Sequence, residues 1–559
     1  MRKIIVIALC ALLCGTSAFA LSKDQLTVGI SQEFDYFHPH ILNMVAGRYI
    51  QEMCIRALMT LDTKGKWQTM MIKEIPSIEN GLAEFVEEDG VKKIKAQYEL
   101  KDNLKWGDGQ PITNEDVKFS WEVGMHANVP VPERDIWNRI ERIEIDPANP
   151  LKFTCYSPMR WDFNQLSRFY VIAKHLEEPV FKQHIETAGS YEKNSLYITD
   201  LTNPGLYQGP YRISEAVPGS HVTLVPNEYF WGDAPYFQRI IFKIIPDTGT
   251  LEANLLSGTI DMICRLGLTL DQALAIEKRF KEQNQAYTVL FQPGIIYEHI
   301  DLQLSNPILQ DKRVRKALVY AIDRDALTQA MFEGKQPKSI HLFAPIDPWY
   351  TEDPNKIVLY EYSPRKARQL LDEAGWTTGN DGYRYKDGEK LSLQLMTTAG
   401  NKTREMVEAW LQEEWKKVGI EITIKNEPAR VYFSETVRKS QFPAMAMYAW
   451  TSAPETNPRS LLHSSSIPTE ANNYAGNNPP RWVNPEVDKL IDEVDMTFEH
   501  AKRVELTSKI LYYYTEEVPV IPLYSRADSA VIPNNLVGYE ISPHQCNETN
   551  WVEYWRLQE

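Results

Sequence analysis

The two histidines of His38-Pro39-His40 are the residues in this chain best placed to bind a metal. Imidazole nitrogens bind zinc, copper and nickel when further donors complete the coordination set. No cysteine or carboxylate follows them at ligand spacing, and the cysteines beyond residue 20 lie too far apart in sequence for a compact metal site. The pattern therefore predicts no metal and no cofactor.

Motifs for hydrolytic catalysis are missing from the sequence. It contains neither Gly-x-Ser-x-Gly nor His-Glu-x-x-His. Its 11 histidines show no triad spacing, although a triad assembled in space need not show one. We predict a binding protein with no catalytic residues. A hydrolase and a chaperone-like holder of unfolded chains are the alternatives.

The second half of the chain alternates between the hydrophobic periodicity of helices and that of strands, and these elements would position any functional site. Apolar residues at helical spacing recur around Val314, Leu371 and Trp415, and Ile420, Ile422 and Ile424 then alternate as in a strand. This order predicts an α/β layer with a partly parallel sheet.

The first half of the chain contains further strands and one clear helix start. Gln25–Ile30 and Val91–Leu100 are typical of strands. Thr113 followed by Asp116 predicts a capped helix. Residues 240–245 are almost all apolar, which predicts a strand buried on both faces.

The N-terminus has the three parts of a secretory signal peptide. A charged start at Arg2-Lys3 precedes an apolar run of about ten residues, about half of what a bilayer span needs. Ala18-Phe19-Ala20 provides a cleavage site, so we predict export with cleavage after Ala20. Lipid attachment at Cys14 is the alternative, although Leu13 occupies the place where a small residue is usual.

The amino-acid composition bears on which molecules the protein can bind and on its disulfides. The net charge of −15 disfavours nucleic acid, because an acidic surface repels phosphate. Aromatic residues form 11% of the chain and suit both cores and ligand clefts. An oxidising compartment permits disulfides, and the sequence does not choose among the pairings of Cys54, Cys155, Cys264 and Cys546.

Six blocks carry a resemblance to a known family. They are Leu104–Trp121, Gly209–Ser214 with Asn227–Gly232, Leu255–Asp261, Asp311–Arg324, Tyr362–Trp376 and Val518–Tyr524. In this order the chain resembles the extracellular solute-binding proteins of the oligopeptide, dipeptide and nickel group (family 5), which serve ABC importers. The resemblance implies a two-lobed, hinge-closed α/β periplasmic binding protein fold of type II, with an additional domain inserted in lobe one.

The resemblance also implies domain boundaries and a function. Lobe one would comprise residues 21–67, 208–292 and 516–559, the inserted domain 68–207, and lobe two 293–515. The implied protein is a monomer that captures a small peptide or peptide-like solute between its lobes and delivers it to an inner-membrane ABC permease. A sugar or an opine-like acid is the alternative ligand.

Two segments would supply the ligand contacts if the resemblance holds. In the family the loop after the first strand faces the cleft, and here it carries Glu33, Phe34, Tyr36 and Asn43. In peptide-binding relatives an aspartate after a tryptophan pairs with the peptide's ammonium group, and Ala453 stands in that place. Alanine cannot neutralise a buried ammonium, which puts a free-amine peptide in doubt. The residues expected to bind ligand in this second segment are Trp450, Thr451, Ser452, Arg459, His463 and Tyr474.

Overall fold

A computed structural model describes residues 24–34, 37–42, 44–132, 134–452, 455, 457–472, 474 and 476–558. The expected signal peptide, Tyr36, Asn43 and Ala453 lie outside the described residues. Within those ranges, no helix combines the length and the apolar character needed to cross a membrane.

The strands are numbered in chain order. They are β1 Gln25–Ile30, β2 Met59–Leu61, β3 Trp67–Thr69, β4 Ala83–Glu88, β5 Val91–Glu99, β6 Arg142–Ile145, β7 Lys152–Pro158, β8 Tyr211–Val217, β9 His221–Pro226, β10 Arg239–Ile244, β11 Met262–Ile263, β12 Tyr287–Leu302, β13 Thr377–Thr378, β14 Arg384–Lys386, β15 Glu389–Lys390, β16 Ser392–Met396, β17 Glu421–Ile424, β18 Met445–Thr451, β19 Val520–Pro533, β20 Leu536–Val537 and β21 Arg556–Leu557.

The α-helices follow the same convention. They are α1 Val45–Gln51, α2 Asn114–Met125, α3 Asp135–Asn138, α4 Lys174–His184, α5 Ser190–Asn194, α6 Leu196–Thr199, α7 Thr248–Leu256, α8 Leu270–Gln283, α9 Lys312–Tyr320, α10 Arg324–Phe332, α11 Pro364–Glu373, α12 Lys402–Lys416, α13 Ala429–Val431, α14 Arg459–Leu462, α15 Pro485–Asp495 and α16 His500–Glu517.

A mixed ten-stranded sheet forms the frame, in the order β17-β16-β18-β12-β19-β11-β1-β10-β9-β8. β1 is parallel to β10 and β11, and β16 is parallel to β17 and β18, which confirms the predicted partly parallel sheet. The capping box of Thr113 and Asp116 at the start of α2 is also confirmed. The prediction for residues 240–245 is wrong, because β10 alternates and leaves Ile241 and Lys243 half-buried.

Two long strands connect the two halves of this sheet. Residues 287–293 of β12 pair with residues 527–533 of β19, and residues 297–301 pair with residues 520–525. The register shifts between Pro293 and Tyr297, so the ladder is interrupted where the chain passes from one half to the other. The predicted boundary between residues 515 and 516 lies before β19, and the domain boundaries stay a prediction.

A separate antiparallel sheet, β4-β5-β7-β6, lies within the expected inserted domain. Its inward residues, such as Ile94, Ala96 and Phe153, pack with Val117 of α2 and with the fully buried Trp106. Apolar burial of this extent, at about 25 cal/mol per Å², is the main force that holds such a unit together. This core is distinct from those of the two halves of the large sheet.

Candidate ligand-binding cleft

Among the described residues, the end of β18 has a strand neighbour on only one of its two edges. β12 pairs with it from Met445 to Thr451, whereas β16 pairs only with Met445 and Ala446. The carbonyl of Met447, which faces the β16 side, accepts hydrogen bonds from Thr397 Oγ1 at 2.8 Å and from the Tyr432 hydroxyl at 3.1 Å. Beyond Met447, no described strand pairs with this edge, which we call the open edge of β18.

The direction of the backbone groups on this edge follows from the ladder. The N–H of Ser452 donates to the carbonyl of Ile295 at 3.1 Å, so Ser452 faces β12. Antiparallel ladders alternate between residues that face the partner strand and residues that face away. The N–H and C=O groups of Ala449 and Thr451 therefore point away from β12, toward the open edge.

Two cavities lie beside this strand end. Thr451 lines a cavity of about 530 Å³ that we call the cleft cavity. The other lining residues come from the N-terminal loop and α1, the expected inserted domain, the loop after β11 and the C-terminal segment. They are Pro39, His40, Leu42, Met44, Val45, Arg48, Val131, Pro132, Asp135, Ile136, Trp137, Arg139, Gln165, Ser167, Arg168, Tyr170, Arg265, Gln545 and Asn547.

The second cavity, of about 410 Å³, is lined by aromatic rings and is called the aromatic cavity. Trp450 lines it, with Phe433, Tyr448 and Tyr474. The ammonium group of Lys439 lies 5.4 Å from the centre of the Tyr474 ring. Successive residues of a strand point to opposite faces, so neighbouring residues Trp450 and Thr451 serve different cavities.

Two of the four ligand contacts predicted in the loop after β1 are described, and they differ in environment. Glu33 is exposed and accepts a hydrogen bond from the N–H of Gly219 at 2.8 Å. Phe34 is 6% exposed and packs on Phe37, with ring centres 5.2 Å apart, as part of the core. The structure thus brings Trp450, Tyr474 and Thr451 to the cavities, while Phe34 is buried.

Arg459 and His463 are engaged with acidic residues of α15. Arg459 binds Asp495 through Nε at 2.5 Å and also forms an ion pair with Asp492. The Arg459 guanidinium lowers the pKa of the Asp492 carboxyl. Nε2 of His463 lies 3.6 Å from the same Asp492. These contacts fix α14 to α15, and neither residue lines the two cavities.

The histidines of the His-Pro-His segment lie in the core under the cleft cavity. His40 Nε2 donates to the carbonyl of Tyr170 at 2.9 Å, and burial lowers the pKa of His40 to about 4. His38 Nε2 lies 3.2 Å from the hydroxyl of Tyr191, and burial, followed by the charge of His40, lowers the His38 pKa. Among the described residues, no group of three or more His, Cys, Asp or Glu side chains could hold a metal ion.

Arginines dominate the charge of the cleft cavity, and sequence reasoning missed them. Arg48, Arg139, Arg168 and Arg265 line it, against Asp135 as the one acidic residue in its described lining. The signals were present in the sequence. Arg48 is the sole charged residue of α1, and Arg265 follows β11 at the end of the parallel strands, where α/β proteins place their ligands.

A buried charge cluster lies beside the crossing of β12 and β19. Arg404 binds both carboxylate oxygens of Glu298 at 3.2 Å, and Arg526 Nε binds Glu298 Oε1 at 2.9 Å. The side chain of Glu298 is 1% exposed, whereas that of Arg526 is 41% exposed. The second long strand is therefore tied to α12 next to the irregular part of the ladder.

Contacts also join the expected inserted domain to the expected lobe two. Gln165 donates to the carboxylate of Glu455 at 2.5 Å, and the Arg503 guanidinium lies 4.4 Å from the centre of a Trp161 ring. Phe85 and Phe498 have ring centres 4.9 Å apart. Gln165 also lines the cleft cavity, so one of these contacts lies at its border.

Comparisons with known proteins agree with this architecture. Residues 77–472 match the family described as bacterial extracellular solute-binding proteins, family 5 Middle. The chain is 25% identical over 539 residues to the oligopeptide-binding protein AppA of Bacillus subtilis, covering 95% of this chain and 91% of that protein. It is 25% identical over 430 residues to the nickel-binding periplasmic protein of Escherichia coli, covering 76% of this chain and 77% of that protein.

A solved structure supports the same grouping. The oligopeptide-binding protein of Thermus thermophilus, complexed with a pentapeptide, is 27% identical, with a TM-score of 0.65 and coverage of 95% of this chain and 96% of that one. The two-lobed α/β periplasmic binding protein fold implied by the resemblance is confirmed. This chain belongs to family 5 of the bacterial extracellular solute-binding proteins.

Proposed function

We propose that this protein captures a peptide or peptide-like solute for an ABC importer and holds it in extended form along the open edge of β18. The observation that carries the proposal is the one-sided pairing of that strand beyond Ala446. An extended peptide can add to an exposed sheet edge, where main-chain hydrogen bonds supply affinity and flanking pockets supply specificity.

The two cavities suit the side chains of such a ligand. Groups on opposite sides of an extended backbone would enter the cleft cavity and the aromatic cavity, which Thr451 and Trp450 line. With Tyr474, these are the sequence-predicted residues that the geometry favours as ligand contacts. The other proposed contacts stay predictions; they are Glu33, Phe34, Tyr36, Asn43, Ser452, Arg459 and His463.

The proposed cycle is binding without chemistry. The interrupted ladder of β12 and β19 would serve as the hinge, and closing over the ligand would bury most of it. A closed protein would then deliver its solute to the inner-membrane permease. We further propose periplasmic export with cleavage of the signal peptide after Ala20, and no enzymatic activity.

Replacing Thr451 by proline tests the role of the open edge. Proline removes the N–H that points away from β12, and edge positions of this kind tolerate it. Thr451→Val, which keeps the N–H, is the matched control. Titration calorimetry with a mixture of tri- to pentapeptides should show binding by the wild type and by Thr451→Val. Binding by Thr451→Pro should be roughly fivefold to a hundredfold weaker, since a lost hydrogen bond in a buried site costs about 1–3 kcal/mol.

The proposal has two ways to fail in this experiment. If the wild type binds sugars but none of the peptides, the peptide assignment is wrong. If Thr451→Pro and Thr451→Val bind peptides equally well, the ligand does not pair with this strand. Circular dichroism of each variant separates either result from a loss of folding.

A further inference from the structure

Arg48 lines the cleft cavity and forms its hydrogen bonds there with neutral groups. Its Nη1 donates to the carbonyl of Pro39 at 3.1 Å and to the side-chain oxygen of Gln51 at 2.8 Å. Its Nη2 donates to the carbonyl of Leu42 at 2.9 Å, and the ring centre of Tyr170 lies 4.9 Å from the guanidinium carbon. Among the described residues, no carboxylate lies within ion-pair distance of Arg48.

Two N–H donors of Arg48, on adjacent nitrogens, have no hydrogen-bond partner among the described residues. A guanidinium has five N–H groups, and the three bonds above use both of those on Nη1 and one on Nη2. The Nε–H and the second Nη2–H have no partner in the described part of the chain. Donors on these two neighbouring nitrogens match the spacing of two oxygens on one carboxylate or phosphate.

The other arginines of the cavity with a described acidic partner are already neutralised. Arg139 binds Asp135 at 2.8 Å, and Arg265 binds Asp528 at 2.9 Å. Asp135 is shared with Arg160, 3.4 Å away. Among the described residues, Arg48 is thus a half-buried cation of this lining that has no carboxylate within ion-pair distance.

We propose that Arg48 binds an anionic oxygen group of the ligand, so that this protein selects acidic solutes. The proposal rests on the function proposed above and gives that function a ligand class. Placing an unpaired cation in a partly dry cavity is unfavourable unless an anion completes it. Two sources share the required chemistry in a peptide: the carboxylate at its C-terminus and the carboxylate of an Asp or Glu side chain.

Pairs of ligands that differ only in charge test this inference. Tetra-alanine acid is compared with tetra-alanine amide, and each tetrapeptide with one Glu is compared with its Gln counterpart. Glutarate and glutaramide form a pair that is not a peptide. Affinities are measured for the wild type, Arg48→Gln, Arg48→Lys and Arg239→Gln, the last being an exposed arginine outside the cavity.

The informative quantity is the ratio of affinities for the acid and its neutral analogue. We expect the wild type and Arg239→Gln to prefer the acid of at least one pair by roughly tenfold to a hundredfold. Arg48→Gln should reduce this ratio to about one, and Arg48→Lys should retain part of it, because the charge remains while the fork is lost. A merely structural role would weaken acid and amide equally and leave the ratio unchanged.

The remaining outcomes either refute the role of Arg48 or identify the carboxylate that it binds. A wild type without acid preference in any pair, or an unchanged ratio in Arg48→Gln, overturns the assignment of Arg48. Acid preference at tetra-alanine points to the C-terminal carboxylate, and preference within the Glu/Gln pairs points to the side chain. If no peptide binds but glutarate does and its preference depends on Arg48, the role of Arg48 stands while the peptide proposal fails.

Discussion

Replacing Asp347 by asparagine should stabilise this protein above pH 7. Asp347 is 4% exposed, and its Oδ1 accepts the N–H of Trp349 at 2.9 Å. Its Oδ2 is buried without a hydrogen-bond partner in the described structure. Burial first, and then the negative charge of Glu455, raises the pKa of Asp347 to about 7.

The direction of the pH effect follows from the proton count. Between about pH 4 and pH 7 the folded state keeps the proton on Asp347 while the unfolded state has lost it, because an unfolded Asp has a pKa of about 3.9. The free energy of unfolding therefore falls as the pH rises through this window, and the loss is complete above pH 7. Asparagine keeps the Oδ1 acceptor and cannot ionise.

The size of the effect comes from the pKa shift. About three pKa units at about 1.4 kcal/mol each correspond to at most about 4 kcal/mol, of which up to about 2.5 kcal/mol arises between pH 5 and pH 8. The entropy of unfolding is about 2.1 cal/mol/K per residue, so in a chain of more than 500 residues 1 kcal/mol moves the melting temperature by about 1 °C. Calorimetry of wild type and Asp347→Asn at pH 5 and pH 8 should show an advantage in melting temperature for the variant that grows by up to about 2–3 °C between the two pH values.

The control is Glu352→Gln, an exposed carboxylate close by in sequence, which should change stability by less than about 0.5 kcal/mol at either pH. If Asp347→Asn lowers the melting temperature equally at pH 5 and pH 8, ionisation of Asp347 does not destabilise the folded protein. The reasoning from burial and Glu455 would then be refuted.

Two further outcomes follow from buried groups elsewhere. Glu298→Gln should lower the free energy of unfolding by about 3–5 kcal/mol in calorimetry, because Arg404 would keep a buried charge without a carboxylate partner. The control Glu413→Gln changes an exposed carboxylate and should alter stability little. Equal effects of the two variants would contradict a stabilising role for the buried cluster of Glu298, Arg404 and Arg526. Cys54, Cys155, Cys264 and Cys546 are free and buried, and burial raises the pKa of each thiol. A thiol reagent should therefore modify none of them in the folded protein starting at Leu21 and all four after unfolding, and a lower count without reductant would reveal a disulfide.

Local sequence patterns were sufficient to predict most of the strands and helices of the large sheet and its neighbours. Gln25–Ile30 alternates little yet lies where predicted, because it is bordered by turn residues and is long enough for a strand. The capping box at Thr113 depends only on residues within one helical turn. Residues 240–245 misled the prediction because apolar content does not show how far a strand is covered on each face.

The site depended on contacts that no local pattern contains. Arg459 and His463 follow the cavity-lining residues Trp450 and Thr451 closely in sequence. Their acidic partners lie on α15, a helix that begins only at Pro485; these partners are Asp488, Asp492 and Asp495. Conversely, Arg48 became a candidate only when its neighbours proved to be carbonyl and amide oxygens. Charge pairing is a tertiary property, so the sequence named cations without showing which of them were free.

The position of β19 also has a consequence for the order of folding. This strand lies between β12 and β11, so it separates the first strand of the chain from the half of the sheet that contains β18. The ten-stranded sheet cannot be completed until residues 520–533, near the end of the chain, have been synthesised. Contacts this distant in sequence form slowly. A nascent chain would therefore remain incompletely folded until β19 has left the ribosome, and the early strand β1 would until then lack its connection to the half of the sheet that contains β18.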